Sequence, residues 1–212
     1  MNRTSHHKHL NSKSQHKSGL SPDIIADSVK YNHQILDQID DKLLEVGVGR
    51  LSDMVELANL SAIVGNLFGA GVAKNSSGVF QRNGPHKYPD LLSQIAEAKD
   101  IEIKVALETN KPKSHLAKEG PHMICRYVLV QEDLSLLMNN RGKRVAIWEV
   151  RFGHLLSQHY NVSNTEGDSG KTAVVNAMGM EELVPVYVDL SICPYSPNSR
   201  VYRQYVDSLS NT

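Results

Sequence analysis

The sequence contains Pro89-Asp90-Leu91-Leu92 and, after eight intervening residues, Ile101-Glu102-Ile103-Lys104-Val105. In the second segment apolar residues alternate with Glu102 and Lys104. This period of two predicts a β-strand with both polar side chains on one face. Asp90 begins an apolar run that is close enough in sequence to form a neighbouring strand. We therefore expect two carboxylates and one ammonium to meet at one end of a sheet.

This combination of side chains suits metal-assisted chemistry on phosphate. Two carboxylates can hold a hard divalent cation such as Mg²⁺, which prefers oxygen ligands. A cation with an adjacent lysine can orient and activate a water molecule against a phosphodiester. The alternative is an ordinary edge strand whose Glu102–Lys104 pair faces solvent, and the spacing alone does not separate the two interpretations.

Pro89, Asp90, Glu102 and Lys104 together resemble the active-site motif of the PD-(D/E)XK nuclease superfamily, to which most type II restriction endonucleases belong. The resemblance implies an α/β fold in which a restriction-endonuclease-like mixed sheet is flanked by helices. It also implies that Asp90 and Glu102 ligate Mg²⁺, with the main-chain carbonyl of Ile103 as a further ligand. Lys104 is implied to position the attacking water.

Two apolar segments precede this motif, and both predict helices. The first begins at Ser21-Pro22-Asp23, where a capping serine, a proline in the first turn and an acidic residue favour a helix start. Its apolar stripe suits packing on the domain core or pairing with a second copy of the chain. The second segment covers residues 52–68. In the resembled family such a helix often supplies an additional metal-binding carboxylate, for which Glu56 is the candidate; a solvated Glu56 is the alternative.

Basic side chains cluster in the loops on both sides of the motif. Such residues beside a metal site suit contact with the phosphates and base edges of DNA, although a charge run is usually only a solvated loop. The candidate DNA-binding residues are Arg82, His86, Lys87, Lys111, Lys113, Lys118, Arg141 and Lys143.

The composition of the whole chain bounds the class of protein. Its 212 residues suffice for one domain with a substantial core, and its 23 basic and 23 acidic residues cancel. Neutrality argues against a protein that coats nucleic acid by charge alone, but not against a nuclease. No apolar run is long enough to span a membrane, no secretory signal pattern is present, and the two lone cysteines fit a reducing compartment. We therefore expect a cytoplasmic protein.

Residues 1–20 are rich in His, Lys, Arg, Ser and Asn and contain no acidic residue. Such a segment cannot bury enough apolar surface to fold alone, so we expect a disordered basic arm. An expression artefact and a metal-binding tract are the alternatives. We expect residues 21–212 to form a single nuclease domain, with N-terminal helices over 21–70, a catalytic sheet over 78–152, and a C-terminal helix and strands over 165–212.

Gly170-Lys171-Thr172 imitates the end of a phosphate-binding P-loop. The full motif needs a glycine where this chain has Thr165 and a buried strand immediately before it, and the sequence offers neither. We therefore expect a loop here, followed by a helix over residues 172–183 and a last strand over residues 184–190.

The function that these patterns favour is that of a type II restriction endonuclease, which hydrolyses phosphodiester bonds at a specific DNA site with Mg²⁺. Cutting both strands of a palindrome calls for two active sites, and so for a homodimer bound to double-stranded DNA. A repair or recombination nuclease with the same core is one alternative. A non-catalytic DNA-binding module, whose carboxylates are ordinary surface, is another.

Overall fold

A computed structural model describes residues 3, 6–11, 19–85, 87–137, 139–163 and 172–210. Its α-helices are α1 (Pro22–Glu45), α2 (Leu51–Met54), α3 (Leu57–Asn75), α4 (Ala177–Glu182) and α5 (Arg200–Ser210). Its strands are β1 (Phe80–Arg82), β2 (Leu91–Ser93), β3 (Glu102–Leu107), β4 (Lys113–Ser114), β5 (Gly120–Val130), β6 (Arg144–Leu155), β7 (Tyr160–Ser163), β8 (Thr172–Val175) and β9 (Val184–Val188). No helix in these ranges is long and apolar enough to cross a membrane.

A mixed four-stranded sheet forms the centre of the fold, in the order β3-β5-β6-β9. β3 runs parallel to β5, whereas β6 is antiparallel to both β5 and β9. Alternate side chains of β5 point to opposite faces, so Cys125 and Tyr127 pack with α1 and α3 while Val128 and Val130 pack with Tyr205 of α5. The predicted α/β class, a mixed sheet flanked by helices, is confirmed in these terms.

The start of α1 follows the predicted capping pattern. Ser21 is the N-cap, its hydroxyl accepts the Ile24 N–H at 3.4 Å, and Pro22 occupies the first turn. Ile25, Val29 and Leu36 of the apolar stripe of α1 are buried in the main core, whereas Ile39 and Leu43 are partly exposed. The polar member of the stripe, Asn32, donates to the Val64 carbonyl at 2.8 Å. The stripe therefore packs on the domain core, the first of its two predicted roles.

The second predicted helix is divided near its start. The chain is extended at Val55 and Glu56, so residues 51–54 form the separate helix α2 and Glu56 becomes the N-cap of α3. The prediction of one helix from residue 52 is therefore wrong. The apolar pattern correctly indicated a helix over the residues of α3. The break before it depends on the extended backbone at Val55 and Glu56, which the apolar pattern does not encode.

α3 continues to Asn75, beyond the predicted end of this helix at residue 68. A Cβ atom at Gly69 would lie 3.0 Å from Ile103 Cδ1, and one at Gly71 would lie 3.0 Å from the Ser28 backbone. These glycines allow the helix to approach β3 and α1 closely instead of ending it.

Residues 172–183 fold as β8 and α4 instead of the single predicted helix. β8 pairs with both β4 and β7, which suits its β-branched side chains. α4 follows Asn176, whose side chain accepts the Gly179 N–H at 2.9 Å. The predicted last strand is β9 and ends at Val188, whereas α5 was not predicted. Gly170 and Lys171 of the segment that resembles the end of a P-loop lie outside the described residues.

The described part of the N-terminal segment packs on the domain and is not the expected free arm. The Arg3 guanidinium donates to both carboxylate oxygens of Asp37, at 2.8 and 2.7 Å. His6 is buried beside His33 of α1, with 2.9 Å between His6 Nε2 and His33 Nδ1. The arm prediction also covers residues 1, 2, 4, 5 and 12–18, which lie outside the described residues.

This histidine pair is buried and neutral. The Ile147 N–H donates to His33 Nε2 at 2.7 Å, so His33 Nδ1 carries the proton that it donates to His6. Burial, together with the nearby Arg3 charge, lowers the pKa of His33 well below its usual value and that of His6 to about 4. The unfolded chain therefore binds protons at these positions at a higher pH than the folded chain does.

We expect the free energy of unfolding to fall as the pH is lowered from about 6.5 toward 4, by up to about 1.4 kcal/mol per pH unit for each buried histidine. His33→Gln, which retains an acceptor for Ile147 but cannot titrate, should make this slope shallower. Urea unfolding over the pH series measures it. His7→Gln is the control, because hydrogen bonding to Asp23 raises the pKa of exposed His7. Equal slopes for wild type and His33→Gln would contradict a neutral buried pair.

Candidate active site

Asp90 lies at the outer edge of β3. Leu91 and Ile101 exchange two backbone hydrogen bonds, at 3.0 and 2.9 Å, so the two segments of the motif are neighbours as predicted. Asp90 Oδ2 accepts the Ile103 N–H at 2.8 Å, which fixes the carboxylate beside the strand. The N–H and C=O of one strand residue point toward the same edge, so the Ile103 carbonyl also faces the Asp90 side.

Glu102 and Lys104 share one face of β3, as the period of two predicted. The Lys104 ammonium donates to Glu102 Oε1, and Lys118 Nζ donates to the same oxygen at 2.8 Å. Glu102 is only 2% exposed, and its other oxygen, Oε2, is buried without a hydrogen-bond partner among the described residues. Because an unpaired buried carboxylate oxygen is costly, Oε2 is a suitable ligand atom for a cation.

The two carboxylates differ in proton affinity. Burial raises the pKa of Asp90, and the adjacent charge of Glu102 adds to this effect against the hydrogen bond from Ile103. Burial also acts to raise the pKa of Glu102, but the ammonium groups of Lys104 and Lys118 outweigh it and leave that pKa below its usual value. Glu102 therefore stays ionised to a lower pH than Asp90.

The site offers a set of oxygen donors to a cation: the Asp90 carboxylate, Glu102 Oε2 and the Ile103 carbonyl. These donors fit Mg²⁺, which takes oxygen ligands and keeps several waters. No group of three or more His, Cys, Asp or Glu side chains in the described part of the chain could hold a metal. A cation here would therefore rest on two carboxylates, one main-chain carbonyl and water.

Glu56 does not join this donor set. It is exposed at the N-cap of α3 and is not among the described residues that line the adjoining cavity. The side of α3 that faces the cavity carries small neutral side chains such as Ser61 and Gly65. The predicted additional carboxylate is therefore not brought to the site by α3.

A cavity of about 710 Å³ opens beside Asp90 and Lys104. α3 forms one wall, the outer edge of β3 forms the floor, and the chain around β4 with the start of β8 forms the opposite wall. The lining residues are Ala58, Ser61, Ala62, Gly65, Asn66, Asp90, Ile103, Lys104, Val105, Lys113, Ser114, His115, Leu116, Lys118 and Thr172.

Two of the candidate DNA-binding residues, Lys113 and Lys118, line this cavity. Lys113 is exposed on β4, whereas Lys118 is half-buried on Glu102. Arg82 is not in the cavity lining, and its guanidinium donates to the main-chain and side-chain oxygens of Asn66 on α3. The cavity therefore carries part of the predicted basic surface.

The other described candidates lie away from the cavity lining. Arg141 is paired with Glu108 at 2.8 Å and Lys143 with Asp53 at 3.0 Å, so each has a carboxylate partner within the chain. Lys87 and Lys111 are exposed, and His86 lies outside the described residues.

Sequence reasoning missed a buried polar group next to Glu102. His122 of β5 stands in register with Glu102 of β3, and its Nδ1 donates to the Gly120 carbonyl at 2.9 Å. Burial lowers the pKa of His122 to about 4, so the ring is neutral and Nε2 is an acceptor at neutral pH. The Tyr160 hydroxyl donates to the Lys118 carbonyl at 2.9 Å and lies 3.1 Å from this Nε2. Only the parallel pairing of β3 with β5 brings these groups together.

The sequence matches no protein-family model, and no curated protein matches it at a significant level. The geometry and chemistry of the cavity are therefore what distinguish the candidate functions.

Two tyrosine hydroxyls support the segment that carries Lys118, and they provide a matched test. Tyr160 is 8% exposed, and its hydroxyl donates to the Lys118 carbonyl. Tyr160→Phe should lower the free energy of unfolding by about 1–3 kcal/mol, because this carbonyl then lacks its donor. Tyr88 is 47% exposed and donates to the Glu119 carbonyl, which water can replace, so Tyr88→Phe should cost less than about 1 kcal/mol. Urea unfolding compares the two variants. The reverse order would show that the Tyr160 contact is not the buried one.

Proposed function

We propose that this protein is a Mg²⁺-dependent endonuclease that hydrolyses phosphodiester bonds in double-stranded DNA, of the type II restriction kind. The observation that carries the proposal is the convergence of Asp90, Glu102 and Lys104 at one edge of the sheet, with Glu102 Oε2 buried and unpartnered among the described residues. A buried carboxylate oxygen beside a second carboxylate and a lysine suits metal-assisted attack on phosphate better than a solvent-facing ion pair does.

Each residue of the set has a distinct role in this proposal. Asp90, Glu102 and the Ile103 carbonyl would hold Mg²⁺, which would polarise the scissile phosphate and lower the pKa of a water. Asp90 is held in place by the Ile103 N–H, so little reorganisation is needed to bind a cation. Lys104, anchored on Glu102, orients the attacking water and offsets negative charge that develops on the phosphate.

The surroundings of the site support a phosphate-bearing substrate. Lys113 and Lys118 contribute positive charge to a cavity whose α3 wall carries small neutral side chains, so a DNA strand meets no added acidic group there. Cleavage of both strands requires two copies of the site, hence a two-fold homodimer. The exposed apolar side chains Leu44, Val46 and Val48 at the end of α1 are a candidate surface for that second copy.

The principal competing function is a DNA-binding module without catalysis. One observation favours it: Asp90 and Glu102 carry two negative charges and Lys104 and Lys118 two positive ones, so the group can neutralise itself without a metal. Incubation of plasmid DNA with the protein and Mg²⁺ separates the candidates. Discrete bands support a restriction enzyme, smearing or branch-specific cutting supports a repair or recombination nuclease, and intact DNA supports a binding module.

Cleavage should require Mg²⁺ or Mn²⁺ and stop when EDTA is in excess, because the reaction depends on a cation held by hard oxygen ligands. Gel analysis of plasmid DNA measures this, and restoring Mg²⁺ should restore cutting. Full activity in excess chelator would contradict the proposed metal site at Asp90 and Glu102.

Removing any one charged group of the set should lower the cleavage rate by at least about a hundredfold. The variants are Asp90→Asn, which keeps an acceptor for the Ile103 N–H, Glu102→Gln and Lys104→Met. Single-turnover assays measure the rate, and circular dichroism checks the fold. Lys42→Met is the control, because Lys42 is exposed on α1 and pairs with Glu45. A Lys104→Met enzyme that cuts at the wild-type rate would identify β3 as an ordinary surface strand.

A further inference from the structure

We propose that Lys118 provides a second functional ammonium group in this site. It pairs with Glu102 until a divalent cation displaces it, and it then contacts a DNA phosphate. The inference rests on the proposed function and deepens it, since Lys118 is outside the motif formed by Asp90, Glu102 and Lys104. It makes Lys118 both a competitor of the metal and a ligand of the substrate.

The contact of Lys118 with Glu102 carries the first half of the proposal. Lys118 Nζ donates to Glu102 Oε1 at 2.8 Å, the oxygen that Lys104 also binds. A cation at Glu102 Oε2 must compete with the two ammonium groups at Oε1, because all three draw on the negative charge of one carboxylate. The two lysines supply the positive charge that this buried carboxylate needs.

The difference in exposure between the two lysines decides which one leaves. Both lysines line the cavity, but the Lys104 side chain is 16% exposed, whereas that of Lys118 is 30% exposed. Lys104 is fixed by β3, two residues from Glu102. Lys118 comes from the segment before β5, and its flexible stem can carry the ammonium from Glu102 into the cavity without moving a strand.

Hydrogen bonds fix the backbone around Lys118, so its side chain can change partners while the main chain stays in place. The Tyr160 hydroxyl lies 2.9 Å from the Lys118 carbonyl, and the Tyr88 hydroxyl donates to the next carbonyl, that of Glu119. Glu119 Oε1 in turn accepts the Ser157 N–H at 2.9 Å. These three hydrogen bonds distinguish the segment around Lys118 from an ordinary solvated loop.

The Tyr88 ring gives the ammonium a second partner. Lys118 Nζ lies 4.4 Å from the ring centroid, within the range of a cation–π interaction. The ring therefore holds the ammonium close to the cavity whether or not it touches Glu102. From there Lys118 reaches a phosphate that lies beside Asp90 and Lys104.

Metal affinity measured without DNA tests the first half. Lys118→Met removes the ammonium and keeps most of the stem, so it should bind Mg²⁺ alone roughly tenfold more tightly than wild type in titration calorimetry. Lys118→Arg keeps the positive charge and should bind Mg²⁺ no more tightly than wild type. Lys113→Met is the matched control, because Lys113 lines the same cavity without a contact to Glu102, and its Mg²⁺ affinity should stay unchanged.

DNA affinity tests the second half. With Ca²⁺ in place of Mg²⁺ to hold the protein on uncut DNA, Lys118→Met should weaken binding to a short duplex. The slope of log affinity against log salt should fall by about 0.9, as one fewer counterion is released. Lys118→Arg should keep the wild-type slope. Fluorescence anisotropy over a salt series measures both.

The outcomes separate this inference from the function on which it rests. Wild-type protein that cleaves DNA with Mg²⁺, while Lys118→Met binds Mg²⁺ no more tightly, overturns the inference alone. An equal gain in Mg²⁺ affinity for Lys113→Met also overturns it, because the effect would then be general charge and not displacement. Wild-type protein that binds no divalent cation overturns the inference and the proposed function together.

Discussion

The buried charge of Glu102 is the constraint on which the rest of the site depends. Taking an ionised carboxylate out of water costs several kcal/mol unless opposite charges compensate for it. The fold compensates with Lys104 on the same strand and with Lys118 from the segment before β5. Because these ammonium groups must stay near Glu102, this one charge ties the edge of β3 to the loop that forms the opposite side of the cavity.

The other wall of the cavity follows from close packing between α3 and β3. A Cβ atom at Gly65 would lie 2.9 Å from Val105 Cγ2, so a larger residue there would push the helix away from the strand. Ala58, Ser61 and Ala62 of the same helix are also small and line the cavity. The α3 wall of the cavity is therefore uncharged, and the positive charge comes from Lys104 on the floor and from Lys113 and Lys118 on the opposite side.

Local patterns in the sequence predicted the parts of the fold that local physics decides. The alternation around Glu102 predicted β3 and the common face of its polar side chains, and the cap at Ser21 predicted the start of α1. Distant contacts decide the rest. His122 reaches Glu102 only through parallel strand pairing, and Lys118 does so only through a loop that returns to the site. α3 passes through Gly69 because a neighbouring strand needs the space, which helix propensity does not encode.

A second buried carboxylate, Glu149 of β6, shows why burial alone does not define a site. Arg151 donates to its Oε1 at 2.6 Å, and the Tyr205 hydroxyl donates to the same oxygen. Its Oε2, like that of Glu102, has no hydrogen-bond partner among the described residues, but it lies 3.2 Å from the Arg126 guanidinium. Guanidinium groups form rigid, directional contacts, and here they fasten α5 to the sheet with the carboxylate fully enclosed. Glu102 is held instead by ammonium groups on flexible stems, beside an open cavity. In the proposed mechanism a cation replaces Lys118 on Glu102 without moving a strand, whereas loss of the Tyr205 contact with Glu149 would remove a link between α5 and the sheet.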